Sequence, residues 1–130
     1  MKPVFIESKA VNNGHYVPGM ISGHTLYISG QLPMDHLTGV MCHGAVAEQA
    51  RQALDNVGLV LASAGAGKED VVLCRVYVPD VALWDEVNRV YADWFGSHRP
   101  ARVVVPCGPL HHGVLVEIEA VAELRGDCHD

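Results

Sequence analysis

The segment VLVEIEAVAEL, residues 114–124, is the strongest constraint on what this chain can fold into. Its even positions, Val114, Val116, Ile118, Ala120, Ala122 and Leu124, are all apolar, whereas its odd positions, Leu115, Glu117, Glu119, Val121 and Glu123, are mixed. Side chains alternate between the two faces of a strand, so one face here belongs to a core. The other is neither a plain core nor a fully solvated surface. It suits a second interface, either a partner subunit or a site.

The rest of the chain supplies the other layers. Short strands are expected at 3–6, 16–22 and 25–30, the last two joined as a hairpin by the turn cluster SGHT. Residues 30–44 read as a loop with a short extended piece at Val40–Met41. From 45 to 65, Val46, Ala50, Ala53, Leu54, Val57, Val60 and Leu61 recur at helical spacing, with Gln49, Arg51, Gln52, Asp55 and Asn56 off the stripe and Gly65 as a left-handed stop. A strand at 70–79 ends at a proline. Asp80 then caps a second helix, 81–96, whose apolar face is Trp84, Val87, Tyr91, Trp94 and Phe95. Strands at 101–106 and 114–124 complete one α+β domain over residues 1–130, a sheet with both helices packed on one face.

Composition narrows the function. A net charge of −6, with nine scattered Lys and Arg, argues against nucleic acid as partner, because phosphate binding needs a clustered basic face. No run is long enough for a membrane span and the N-terminus is too weakly apolar for a signal peptide, so a soluble, cytoplasmic protein is expected. Cys42, Cys74, Cys107 and Cys128 show no CxxC spacing and are expected as reduced thiols. Eight histidines offer no HxH, HxxxH or HExxH set, so no metal site is expected.

The stretch RPARVVVPCG, residues 99–108, raises the functional question. Three valines read as buried strand, yet Arg102 stands at their front edge. A short connection at 107–113 suggests that the last two strands are antiparallel neighbours, so that Arg102 shares the mixed face with Glu117 or Glu119. A poorly hydrated arginine needs a partner. Residue type alone leaves two candidates: a structural ion pair, or a ligand carboxylate gripped by the guanidinium fork. Glu117 is open in the same way, to a paired strand residue or a general acid–base. Asn88, mid-helix beside the apolar stripe, is expected to tie down a loop. Cys107 lacks an evident base other than His111 or His112.

Five motifs, in order over residues 14–124, add a resemblance: YISGQLPMD at 27–35, EQARQALDNVGLVLASAG at 48–65, VNRVYADWF at 87–95, RPARVVV at 99–105 and LVEIEAVAEL at 115–124. The chain resembles the RidA/YjgF/YER057c family, formerly called L-PSP endoribonuclease. The resemblance implies a chorismate-mutase-like fold with a mixed six-stranded sheet. It also implies a homotrimeric barrel with sheets inward, helices outward and three sites in the clefts between subunits. The implied activity is hydrolysis of reactive enamines and imines of the 2-aminoacrylate type to 2-oxo acids and ammonia, without metal or organic cofactor. In that pattern Arg102 holds the substrate carboxylate and Glu117 positions or activates water. Ser29 and Gly30 line the site, Tyr16 closes it, and Asn88 supports it.

Two departures stand out. Val17-Pro18-Gly19 replaces the common Ser-Gln-Ala and, with PCG at 106–108, resembles the RutC-like aminoacrylate deaminase branch. Val103-Val104-Val105 replaces Ser-Cys-Val, so the usual cysteine position is Val104, and Cys107 is not its equivalent. Two other functions compete. One is a non-catalytic binding or sensing module for small 2-oxo acids in the same cleft. The other is a ribonuclease, against which the acidic charge counts.

Overall fold

The structure is a computed structural model that describes residues 1–126, so Cys128 lies outside the described residues. A six-stranded sheet runs in the order β1-β2-β3-β8-β6-β7, where β1 is Lys2–Val4, β2 Gly19–Ser22, β3 Thr25–Gln31, β6 Val71–Val78, β7 Ala101–Pro106 and β8 Glu117–Glu123. Two-residue strands β4 (Met34–Asp35) and β5 (Val40–Met41) form a separate small hairpin inside the expected loop. Helices α1 (Val46–Ser63) and α2 (Trp84–Phe95) complete the molecule. No helix among the described residues is long and apolar enough to cross a membrane.

Both helices cover one face, as the alternation of β8 requires. All of Val114, Val116, Ile118, Ala120, Ala122 and Leu124 are buried, and the whole apolar stripe of α1 packs against that face. Burying side chains of this size contributes roughly 1.5–3 kcal/mol each. Gly65, at φ +75, closes α1, and Asp80 accepts a hydrogen bond from the Ala82 amide at 2.7 Å. A short 3₁₀ turn, Val81–Leu83, precedes α2 where the sequence reads as continuous helix. Another, His111–Gly113, lies in the expected connection at 107–113, and the last strand starts at Glu117 rather than at Val114.

Strand order departs from expectation. β7 and β8 are not neighbours: β6 lies between them, parallel to β7 and antiparallel to β8. α2 is the crossover that makes the parallel β6–β7 pair possible. β7 is thus an edge strand, and its valines are not fully buried: Val103 is 45% exposed, and Val104 and Val105 are half-buried.

On β3, Ile28 pairs with Ala120 and Gln31 with Ile118, so three steps on β3 match two on β8. The extra residue is a β-bulge at Ser29–Gly30. Two amides expected off the α1 stripe are buried, Gln49 at 2% and Asn56 at 0% exposure. Asn56 donates to the carbonyls of Leu32 (3.0 Å) and Met34 (2.7 Å) and accepts from Gln52 at 3.0 Å. Gln49 donates to Gly44 O at 2.9 Å and accepts from the Leu115 amide at 2.8 Å. They fasten the segments on either side of the small hairpin, and the lead into β8, to the core.

Candidate active site

The site residues fall into two groups. Tyr16, Ser29, Gly30 and Glu117 line one open cleft of about 910 Å³. Its walls also carry residues of the N-terminal segment, the small hairpin, His36, His111 and His112. Arg102 and Asn88 are not among its lining residues.

The bulge builds the floor of this cleft. Ser29 is fixed by its amide to Pro18 O (2.9 Å) and by its hydroxyl, which donates to Val17 O at 2.7 Å. Gly30 then passes so close to β8 that a Cβ at this position would run into the Glu117 carboxylate. A residue without a side chain lets the strand and the carboxylate in this position share the space; any other would displace the carboxylate. Tyr16 stands half-exposed at the margin.

Glu117 has no hydrogen bond to its carboxylate among the described residues, whereas its neighbour Glu119 is held by the Tyr77 hydroxyl and lies 3.5 Å from Arg75. Burial, and secondarily the charge of Glu119, push the Glu117 carboxyl above the usual carboxylate range, with His111 acting in the opposite direction. A carboxyl that is half-buried, unpaired and easier to protonate than usual is suited to proton transfer.

Arg102 sits elsewhere. Its Cα partner is Cys74, which pairs with Ala120, and both of these are buried on the helix-covered face. Glu117 pairs with Tyr77 and Glu119 with Arg75, on the opposite face. The expectation that Arg102 shares a face with Glu117 or Glu119 is therefore corrected, because the intervening β6 changes which residues align. The Arg102 guanidinium donates to Asn88 Oδ1 at 2.7 Å and lies over the rings of Tyr91 (4.8 Å) and Trp84 (5.3 Å). Asn88 thus holds the arginine rather than a loop. No described carboxylate forms an ion pair with Arg102. The structural ion pair, one of the two candidates for this residue, is not made among the described residues. The two ring contacts were missed in the sequence, although the i, i+7 spacing of Trp84 and Tyr91 about Asn88 places all three on one helix face.

Cys107 is exposed just past β7; its amide donates to Val78 O at 2.9 Å, and its thiol makes only a long contact with Gly108 O, at 3.5 Å. Cys42, Cys74 and Cys107 are free thiols. The described residues contain no group of three or more His, Cys, Asp or Glu arranged to hold a metal.

Comparison with known proteins adds a lineage to this geometry. The sequence pattern of the family described as Endoribonuclease L-PSP matches residues 7–124. A RutC family protein of Pyrococcus horikoshii is 39% identical over 119 residues, 92% of this chain and 94% of its own length. Human 2-iminobutanoate/2-iminopropanoate deaminase is 40% identical over 109 residues, 84% of this chain and 80% of its own. Among solved structures, E. coli TdcF with bound serine superposes with a TM-score of 0.89 at 30% identity, covering 96% of this chain and 100% of that one.

Proposed function

The chain belongs to the Endoribonuclease L-PSP (RidA/YjgF) family and has its chorismate-mutase-like fold, and from that premise we propose that it hydrolyses small 2-imino acids and their enamine tautomers, of the 2-aminoacrylate type, to 2-oxo acids and ammonia. Deaminase-named relatives at about 40% identity support enamine/imine deamination as the role of the group. The observation that carries the reading for this chain is the arginine without an ion-pair partner among the described residues: Arg102 is held by a neutral amide and two rings, leaving its charge for a ligand carboxylate.

The steps follow from ordinary imine chemistry. The enamine tautomerises to the imine, whose carbon is electrophilic. Arg102 fixes the carboxylate end, which orients that carbon. Glu117 takes a proton from water as it adds to the imine carbon and passes it to the imine nitrogen, giving a carbinolamine; it then takes the hydroxyl proton and delivers it to the amine, so that ammonia departs and the 2-oxo group forms. The raised Glu117 carboxyl suits both directions of this transfer. The Gly30 amide and Ser29 line the space around the reacting carbon, and Tyr16 covers it.

Within one chain Arg102 and Glu117 lie on opposite faces of the sheet. The reading therefore includes a homotrimer, in which the Arg102 edge of one subunit meets the Glu117 cleft of the next. The half-exposed valines of β7 and the open sheet face, where Tyr27 is 52% exposed, support such packing. The free thiols suit a reducing cytoplasm.

The test is release of ammonia and pyruvate from freshly generated 2-aminoacrylate. Turnover that collapses in both Arg102→Ala and Glu117→Gln supports the proposal. An unchanged rate in Arg102→Ala overturns the mechanism. Saturable binding of 2-oxobutyrate with no detectable hydrolysis replaces it with a binding module.

A further inference from the structure

Arg102 is bordered by an amide, a tyrosine and a buried thiol, and none of the three carries a charge. Asn88, whose Oδ1 accepts from the guanidinium at 2.7 Å, is an amide where an aspartate would make an ion pair. The Tyr91 ring lies 4.8 Å from the guanidinium carbon, and its hydroxyl is buried beside the Cys74 thiol with no oxygen or nitrogen partner. Burial holds both groups in their protonated forms: it pushes Cys74 up to about 11 and raises Tyr91 further still. Trp84, on the same helix at 5.3 Å, offers a second ring and no ionisable group. None of the acids of α2, Asp85, Glu86 and Asp93, forms an ion pair with Arg102.

This arrangement has a physical logic. A ring face attracts a guanidinium and fixes its plane without cancelling its charge. A neutral acceptor takes one N–H and leaves the other donors of the fork available to a ligand. An arginine held by a carboxylate would be equally rigid, but a ligand would then have to displace that carboxylate.

We propose that Trp84, Tyr91 and Asn88 form a charge-neutral cradle that positions Arg102 to receive a ligand carboxylate, with Trp84 and Tyr91 as positioning residues. The proposal rests on the reading of Arg102 as the carboxylate-binding group. Asn88 acts through the arginine in this arrangement, not as a direct ligand of the substrate. The cradle governs affinity for the acid end and leaves the proton transfer at Glu117 untouched.

The experiment measures 2-oxobutyrate affinity by calorimetry, and KM and kcat for 2-aminoacrylate separately. Tm and oligomer mass are followed for each full-length variant. Trp84→Leu is expected to weaken 2-oxobutyrate binding and raise KM by about five- to tenfold, with kcat within twofold, and Trp84→Phe to recover most of the loss. Asn88→Asp, which places a carboxylate against the fork, is expected to weaken binding about 30-fold or more, and Asn88→Ala by less than that. Arg102→Ala is run alongside. If it abolishes binding while Trp84→Leu and Asn88→Asp bind normally, the cradle is wrong and the arginine reading stands. If Arg102→Ala itself binds normally, both fall. A Trp84→Leu variant that loses kcat and Tm together with unchanged KM also overturns the cradle, because a purely structural role predicts that pattern.

Discussion

The Glu117 cleft and the Arg102 recess are built on opposite strategies. In the cleft a carboxylate stands beside a second carboxylate, with its own hydrogen bonds left unmade and its ionisation made harder. In the recess a cation is surrounded by contacts that steady it without neutralising it. One region holds a group whose charge is easily given up, and the other a group whose charge is permanent. Proton transfer needs the first, and anchoring an acid needs the second. A chain that merely stabilised its fold would pair the two signs, as it does across the sheet for Arg75 with Glu119 and between the helices for Arg51 with Asp93.

The contrast breaks most severely when either charge is removed. Arg102→Ala is expected to lower kcat/KM about 10³-fold, mainly through KM, and Glu117→Gln to lower kcat about 10²- to 10⁴-fold with 2-oxobutyrate affinity nearly intact. Steady-state kinetics paired with calorimetry reads both, and a kcat-only loss in Arg102→Ala would erase the division of labour. Next is Gly30→Ala. Its methyl group must displace the Glu117 carboxylate, so turnover should fall about tenfold or more while binding at the arginine side changes little.

Asn56→Ala sharpens the comparison through stability. Leu32 and Met34 carbonyls lose their donor in a buried place, which costs about 2 kcal/mol and is measurable as a lower denaturant midpoint. Activity should suffer through the cleft wall, with Arg102 unaffected. The smallest effect separates the two charges by pH. Because Glu117 is harder to ionise in the fold than in the unfolded chain, the native state binds more protons between the ordinary and the raised values, and stability falls as pH rises through that window. Glu117→Gln should therefore raise Tm at neutral pH, by about 2 °C. The gain should shrink toward pH 4, where the wild-type carboxyl is protonated as well. Arg102→Ala should give no such pH-dependent gain.

Much of this architecture was legible because its signals are local. The period of β8 named its core face residue by residue, and the stripe of α1 named its buried positions. Strand order was not legible: β6 slips between β7 and β8 by a crossover whose geometry depends on α2 packing, and no short-range pattern reports that. The parity of Arg102 with Val104 was readable, but the face this parity selected depended on the missing neighbour. Gln49 and Asn56 misled for a related reason. An amide reads as solvent-facing until the carbonyls that satisfy it are known, and those come from distant loops. The motifs placed Ser29, Gly30 and Glu117 in one functional set, yet the contact between Gly30 and the carboxylate emerges only from the register of β3 on β8.

That register has one further consequence. Before the bulge, the core-facing residues of β3 are even-numbered, Leu26 and Ile28; after it, the core-facing residue is odd, Gln31. The bulge is a phase shift in an otherwise two-beat strand. A regular strand turns the side chains of consecutive residues to opposite sides. The shift helps bring Ser29 and Gly30 together to the cleft, which Gln31 and Leu32 also line. Removing one residue at this step would restore the beat, and with it withdraw one of the two neighbours from the cleft.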